Sequence, residues 1–312
     1  MVITRSRGRS ASAVPFGLKK NTMNHSLKIT LACTLLGVGF LIGTPRTHAA
    51  LLAYDDFAYS AGNVNGDNGG TGWSSAWVSS ASPVYASVVT GTALAYTGGS
   101  ISVSGSGTAL SIIGGGDGAL NRSFMGTGAG SEVFFSFLFQ SVVGSGDEFF
   151  HFYLSNDADR FNSGGIGDFN TAGTDSRFGA RINDGTTDTT VSSSISYVTG
   201  STYFLVGRLS TDGSGGAAGE IDRVELWVNP TSLSLGTASA TADDAMGLTI
   251  ADLDVFSSRM VNFAGTDQVL IDELRIGTDI ASVVPEPSAG MLVLLGGLFL
   301  LARRRKAGGR KA

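Results

Sequence analysis

The 312-residue sequence predicts an all-β protein built from two packed antiparallel sheets. Segments in which apolar and polar residues alternate recur between glycine-rich turns, and this alternation is typical of half-buried strands. The 45 glycines provide such turns at short intervals. No part of the body keeps a helical period for three turns, so residues 242–252 are expected to form one short helix at most.

Five segments carry the clearest strand pattern. In the first of them Val133, Phe135, Phe137 and Phe139 share one face, because side chains alternate between the two faces of a strand. A glycine-containing turn separates the first segment from the second, so these two are predicted to pair as a central hairpin. The segments cover residues 133–143, 148–154, 203–209, 221–228 and 268–276.

Residues 283–312 differ from the body in composition. Their apolar run would form a helix ~21 Å long at ~1.5 Å per residue, which is short of the ~30 Å core of a bilayer. Such a transmembrane helix would hold the chain only transiently, with its arginines on the cytoplasmic side. The parts are, in order, Pro285-Glu286-Pro287, the uncharged run 289–302 and the basic tail 303–311, which begins Arg303-Arg304-Arg305.

This order of parts resembles the PEP-CTERM sorting signal of Gram-negative bacteria. The resemblance implies export, transient anchoring in the inner membrane and processing near residues 285–287 by a transpeptidase of the exosortase type. It also implies delivery of the body to the cell surface or to an exopolysaccharide matrix.

The N-terminal residues fit the same route. Residues 23–50 have the parts of a signal peptide: Lys28 as the charged region, 29–42 as the apolar core, and Thr47-His48-Ala49 as the small-residue site for signal peptidase. Residues 1–22 are then an extended or non-native N-terminus. The mature chain is predicted to begin at Ala50 or Leu51.

The charge of the body limits its partners. Residues 51–284 contain eight arginines, no lysine and 25 acidic residues, a formal charge of −17. Such a body repels nucleic acid, which requires a basic surface, and it attracts divalent cations. Cysteine is absent after Cys33, which excludes disulfides and thiolate metal sites. His151 alone remains for histidine chemistry, so a catalytic triad or a histidine metal cluster is not expected.

Four short motifs resemble the laminin-G-like, concanavalin A-like jelly rolls that often precede PEP-CTERM tails. They lie at residues 54–59, 69–73, 224–230 and 271–277. The resemblance implies one β-sandwich domain over residues 51–282, in which the first and last strands lie close together. It implies no shared reaction.

One acidic motif suggests a possible enzyme. Glu220, Asp222 and Glu225 resemble the E-x-D-x-x-E strand of laminarinase-like glycoside hydrolases, which use the same jelly roll. A retaining enzyme needs two carboxyl groups ~5–5.5 Å apart. In a regular strand Glu220 and Glu225 point to opposite faces, so an ordinary strand is the favoured interpretation.

Two further sets of residues are candidate binding sites. Trp73, Trp77 and Trp227 could form a platform on which sugars stack, although rings of this size also fill cores. Asp56, on the first strand, and Asp272, on the last, would approach each other in a sandwich and could hold a structural Ca²⁺ through carboxylate oxygens.

The favoured function is therefore that of an exported, non-enzymatic cell-surface or matrix protein. A carbohydrate-binding module, with exopolysaccharide as its partner, is the first alternative. A glycoside hydrolase is the second.

Overall fold

The computed structural model of the protein describes residues 50–79, 86–114, 118–144, 148–157, 161–169, 176–263 and 265–285. These residues form eighteen strands, a short 3-10 turn at Ile250–Asp252 and one helix, α1, at Ile280–Val283. None of the helical segments in these ranges is long and apolar enough to cross a bilayer. The predicted signal peptide and the predicted helix over 289–302 lie outside the described residues.

All strand pairs are antiparallel, and the strands are short segments joined by turns. The strands, in chain order, are β1 (Leu51–Asp55), β2 (Gly62–Asn63), β3 (Val78–Ser79), β4 (Ala86–Thr90), β5 (Ala95–Gly98), β6 (Ile101–Ser104), β7 (Thr108–Ile113), β8 (Gly118–Ser123), β9 (Glu132–Val143), β10 (Phe149–Ser155), β11 (Ser163–Asp168), β12 (Arg177–Asn183), β13 (Asp188–Ser196), β14 (Thr202–Ser210), β15 (Arg223–Val228), β16 (Ala240–Asp243), β17 (Val255–Val261) and β18 (Gln268–Gly277).

Two large sheets form the two layers of a sandwich. The nine-stranded sheet has the order β16-β15-β14-β9-β18-β7-β4-β2, and β1 also pairs with β18. The seven-stranded sheet has the order β13-β12-β11-β10-β17-β8-β3. Strands β5 and β6 form a separate hairpin. The pairing of β1 with β18 confirms that the first and last strands lie together.

The main core lies between the two sheets and is rich in phenylalanine. Phe137 of β9 packs against Phe152 of β10 with 4.8 Å between ring centroids, and the ring of Phe139 stacks on that of Phe150 at the same distance. Strands β9 and β10 therefore belong to different sheets, and the predicted central hairpin is wrong. The connection after β9 crosses between layers because the phenylalanine faces of the two strands bury more apolar surface when they pack face to face.

A second apolar cluster lies on the other face of the nine-stranded sheet. It includes Phe134, Phe204 and Trp227, together with residues of the β5–β6 hairpin and of α1. The nine-stranded sheet is thus covered on both faces, which explains why β9 is apolar on both of its faces rather than alternating cleanly.

Two predicted elements have different limits in the structure. The strand predicted over 221–228 begins at Arg223, because Glu220 forms an isolated bridge with Thr249 instead. The helix allowed over 242–252 is limited to the 3-10 turn, since Ala242 still belongs to β16.

Candidate functional site

Strand β18 contains a bulge where it changes partners. Its first half pairs with β7 and its second half pairs with β1. Between these halves the register against β9 shifts from Asp272 to Arg275, and Glu273 has a φ of 54°. Positive φ is uncommon for a residue other than glycine, and such strained backbone is concentrated at functional sites.

Asp272 is fully buried at this bulge. Its Oδ1 accepts a hydrogen bond from the Glu273 amide at 2.8 Å, whereas its Oδ2 has no hydrogen-bond partner. Burial, followed by the charges of Glu273, Asp56 and Asp55, raises the pKa of Asp272 to about 8. The bulge therefore contains a carboxyl group that keeps its proton near neutral pH, because burial and the neighbouring acids disfavour its ionised form.

The connection between β6 and β7 packs directly against this carboxyl group. A Cβ atom on Gly105 would lie 1.7 Å from Oδ2 of Asp272, so only glycine leaves room there. The next residue, Ser106, donates its hydroxyl to the Asp56 carbonyl oxygen at 3.3 Å. The end of the first strand, the last strand and this connection thus meet at one place.

The chemistry of this place fits a hard cation. A buried carboxylate oxygen without a partner is the type of ligand that Ca²⁺ takes. No cluster of three or more His, Cys, Asp or Glu side chains suited to a metal occurs in the described parts of the chain. A cation held by Asp272 and Asp56 would therefore need backbone carbonyl oxygens and water to complete its shell.

Asp55, next to this site, belongs to a buried network that the sequence reasoning missed. Its Oδ2 accepts hydrogen bonds from Arg122 at 2.5 Å, Tyr59 at 2.6 Å and Trp77 at 2.9 Å. Its Oδ1 accepts one from the Phe57 amide at 2.8 Å. Asp55 and Arg122 are both inaccessible to solvent. Asp55 is thus already neutralised and is not available as a metal ligand.

Arg122 fills the centre of the same network. Its remaining donors reach Ser75, Asn68 and Gly69 at 2.8 to 3.1 Å. Its guanidinium carbon also lies 4.7 Å from the centroid of the Trp73 ring. The sequence around Arg122 does not predict this buried network, because the partners of Arg122 lie 47 to 67 positions earlier in the chain.

The three tryptophans do not form one platform, which corrects the expectation of a shared stacking surface. Trp77 is 1% exposed in the main core, and Trp73 is half-buried beside it with 5.7 Å between ring centroids. Trp227 is 8% exposed and lies in the other cluster, beyond the nine-stranded sheet. Large aromatic rings also fill apolar cores, and Trp77 and Trp227 are buried in this way.

Trp227 nevertheless lines a recess in the connection between β15 and β16. The recess has a volume of about 200 Å³, and its other walls come from residues 228–232, 234–237 and 239. Trp227 donates its Nε1–H to the Gly236 carbonyl oxygen at 2.8 Å, so the indole is fixed in orientation. Five of the eleven lining residues are serine or threonine, among them Ser234 and Thr237.

The residues of the acidic motif have separate structural partners. Glu220 accepts a hydrogen bond from the Ala217 amide at 2.8 Å within its own loop. Asp222 accepts one from the Gly213 amide at 2.7 Å.

Glu225, the third residue of the motif, forms an ion pair on a neighbouring strand. It accepts a hydrogen bond from Nε of Arg208 at 2.6 Å. Arg223, two positions earlier in the same strand, pairs with Asp243 at 2.6 Å.

His151 lies in β10 and is 1% exposed. Its ring stacks on Tyr153 with 4.6 Å between centroids. Burial, with the charges of Arg181 and Arg259, holds the pKa of His151 well below its usual value. The imidazole is therefore neutral and packed, as expected for a lone histidine in a strand.

Of the predicted sorting residues only Pro285 lies within the described part of the chain, where it is half-buried. Glu286, Pro287, Arg303, Arg304 and Arg305 lie outside the described residues.

Comparison with protein-family models gave no match, and comparison with curated proteins gave no significant match. Among solved structures, a glycoside hydrolase family protein from Mycobacterium thermorestibile is 13% identical over 72% of this chain and 100% of its own, with a TM-score of 0.42. The carbohydrate recognition domain of Emp47p is 12% identical over 76% of this chain and 100% of its own, with a TM-score of 0.40. Carbohydrate binding module CBM66 from Bacillus subtilis is 10% identical over 60% of this chain and 92% of its own, with a TM-score of 0.35. Likeness at this level assigns neither an activity nor a ligand to the chain.

Proposed function

We propose that this chain is an exported, non-enzymatic protein whose C-terminal segment directs it to the cell surface or to an exopolysaccharide matrix. The observation that carries the proposal is the order of three parts at the end of the sequence: Pro285-Glu286-Pro287, the apolar run 289–302 and Arg303-Arg304-Arg305. An apolar run that is shorter than the bilayer core and is followed by basic residues suits transient anchoring.

The burial of the last described residues supports this proposal. Val283 and Val284 are buried, and Ser136 of β9 donates its hydroxyl to the Val283 carbonyl oxygen at 2.6 Å. Pro285 follows them directly. Cleavage after Pro285 would therefore leave every described strand and α1 in the released body.

Processing can be tested by mass spectrometry of the secreted protein in a host that has an exosortase-type transpeptidase. We expect a C-terminus near residues 285–287. Replacing Arg303, Arg304 and Arg305 with glutamine should leave uncleaved chain in the cells. The matched control replaces Arg310 and Lys311, which lie beyond the motif, and should be processed normally. Full-length chain folded in the cytosol of the wild-type strain would contradict the proposal.

We also propose that Asp272 and Asp56 hold a structural Ca²⁺ where the first and last strands meet. The unpartnered Oδ2 of Asp272 supports this, because a cation would replace the proton that burial keeps on this carboxyl group. The ion would stabilise the body outside the cell, where the acidic chain meets divalent cations.

Carbohydrate binding is the second candidate function, and the recess at Trp227 favours it. Its indole wall and hydroxyl-rich rim match the apolar face and the hydroxyl groups of a sugar. Binding should be measured on a glycan array, and by pull-down with the producer's own exopolysaccharide, with and without Ca²⁺. Ser234→Phe fills the recess and should abolish binding, whereas Leu233→Phe, outside the lining, should not. No binding by the wild type under either condition would remove this candidate.

A further inference from the structure

The recess at Trp227 lies in an uncharged part of an acidic body. Residues 226–242, which include the whole lining, contain no charged side chain, and neither do residues 88–116, which include the β5–β6 hairpin. The body as a whole carries a formal charge of −17. Because like charges repel, the body disfavours an anionic ligand, and the lining offers no cation to offset this repulsion. A neutral ligand meets neither obstacle.

The β5–β6 hairpin holds one wall of the recess in place. Tyr96 points its hydroxyl at the carbonyl oxygens of Asn229 and Pro230, which lie 2.8 and 3.1 Å away. The Ser100 amide donates a hydrogen bond to the Thr231 carbonyl oxygen at 2.8 Å. A wall that is already held in one conformation loses less entropy when a ligand binds. The recess is therefore prepared for a ligand before the ligand arrives.

The hydrogen-bonding groups that remain available in the recess are hydroxyls. The Ser232 hydroxyl donates to the Ser234 carbonyl oxygen at 2.9 Å, and the Trp227 N–H donates to the Gly236 carbonyl oxygen, so both donors are used within the loop. Ser234 and Thr237 are exposed, and no hydrogen bond among the described residues engages their hydroxyls. A hydroxyl both donates and accepts hydrogen bonds, which suits the hydroxyl groups of a sugar.

We propose that the recess binds one neutral sugar ring at the end of a glycan chain, through Ser234, Thr237 and the ring of Trp227. The proposal rests on carbohydrate binding by this recess, the second candidate function, and adds the charge of the sugar and the number of rings. The volume of about 200 Å³ limits that number, because it lies below the ~300–1,000 Å³ of sites that bury drug-sized ligands. A ring inside a chain has neighbours on two sides, whereas a terminal ring has one and fits more easily.

Matched pairs of sugars test the charge. Glucose, galactose and mannose each differ from their uronic acid only at C6, where the acid carries a carboxylate. Binding to the full-length chain, purified in a mild detergent, is followed by ligand-observed NMR titration. At least one of the three neutral sugars should bind, and its uronic acid should bind at least about tenfold more weakly at low salt. Added salt should narrow this difference, since it screens the repulsion.

Oligosaccharides of the sugar that binds test the number of rings. Lengthening the chain beyond two residues should change the Kd by less than about threefold, because additional rings lie outside the recess. A cyclic oligosaccharide of the same sugar has no chain end and should bind at least about tenfold more weakly than the linear one. A groove that follows the chain would instead gain affinity with each added ring.

Two variants test the hydroxyls. Ser234→Ala and Thr237→Val each remove one hydrogen-bonding group and should each raise the Kd about two- to tenfold. Ser102→Ala is the matched control, because Ser102 is exposed on the hairpin and lies outside the lining, and it should leave the Kd unchanged.

The outcomes separate this proposal from the function on which it rests. Binding that favours a uronic acid, that strengthens with each added ring, or that is unchanged in both hydroxyl variants would overturn the proposal and leave carbohydrate binding standing. No binding of any of these sugars would overturn the proposal and count against carbohydrate binding by the recess as well.

Discussion

Replacing Arg122 with methionine should destabilise the sandwich more than any other single change to an arginine. Arg122 makes five hydrogen bonds through its guanidinium group, one of them to the buried carboxylate of Asp55. Removing one member of a buried ion pair costs about 3–5 kcal/mol, because the other charge is left without compensation. Folded domains are stable by only about 5–15 kcal/mol, so the variant should lie close to its unfolding threshold at 25 °C.

Urea unfolding followed by tryptophan fluorescence measures this effect, since Trp73 and Trp77 lie within the network. The matched control is Arg223→Met. Arg223 pairs with Asp243 at a partly exposed position, where such pairs contribute about 0–1 kcal/mol. A loss below about 1 kcal/mol for Arg122→Met, equal to that of the control, would refute the argument that burial makes this pair essential.

Asp272, the core and the acidic motif give three further predictions. The folded-state pKa of Asp272, about 8, exceeds the ~3.9 of an unfolded aspartate, so the folded chain keeps a proton that the unfolded chain releases. Stability without Ca²⁺ should therefore fall as the pH rises from about 4 to 8, by up to about 1.4 kcal/mol per unit. In urea unfolding measured across this pH range, Asp272→Asn should not show this loss of stability. Added Ca²⁺ should raise the Tm of the wild type but not that of Asp272→Asn. The same pH dependence and the same Ca²⁺ effect in both proteins would contradict these expectations. Phe139→Ala should cost about 3–5 kcal/mol in urea unfolding, because its fully buried ring packs on three other aromatic rings. Met125 is 81% exposed, so Met125→Ala should change stability by less than about 0.5 kcal/mol. Equal losses of stability in Phe139→Ala and Met125→Ala would show that the face-to-face packing of the two sheets is wrong. Wild type and Glu220→Gln should show equally undetectable β-glucan hydrolysis in a reducing-sugar assay, and activity lost only in the variant would support the hydrolase alternative.

The alternation of side chains was enough to predict the fold class and five of the eighteen described strands, because it reflects burial on one face. It failed where burial is two-sided. In β9, Phe134 and Leu138 are buried on one face while Phe135 and Phe137 are buried on the other, so periodicity could not tell which sheet the next strand would join. A turn rich in glycine predicts that the chain reverses, but not whether it returns beside the strand or over it.

The site depends on contacts that a single sequence does not encode locally. The approach of Asp56 to Asp272 could be expected once the first and last strands were placed together. The Asp55–Arg122 pair could not, since it joins residues 67 positions apart. The positive φ of Glu273 was equally hidden, because Asp272, Glu273 and Leu274 carry no glycine or proline to indicate a bulge.

The arginines show how an acidic body can still fold. Among the described residues, five arginines form these ion pairs with acids of the same body: Arg122 with Asp55, Arg181 with Asp188, Arg208 with Glu225, Arg223 with Asp243 and Arg275 with Glu273. Their positive charges are therefore used within the chain, while the body as a whole keeps a formal charge of −17. A surface of this kind repels other polyanions. An acidic polysaccharide would thus need divalent cations between itself and the protein, whereas a neutral polysaccharide would not.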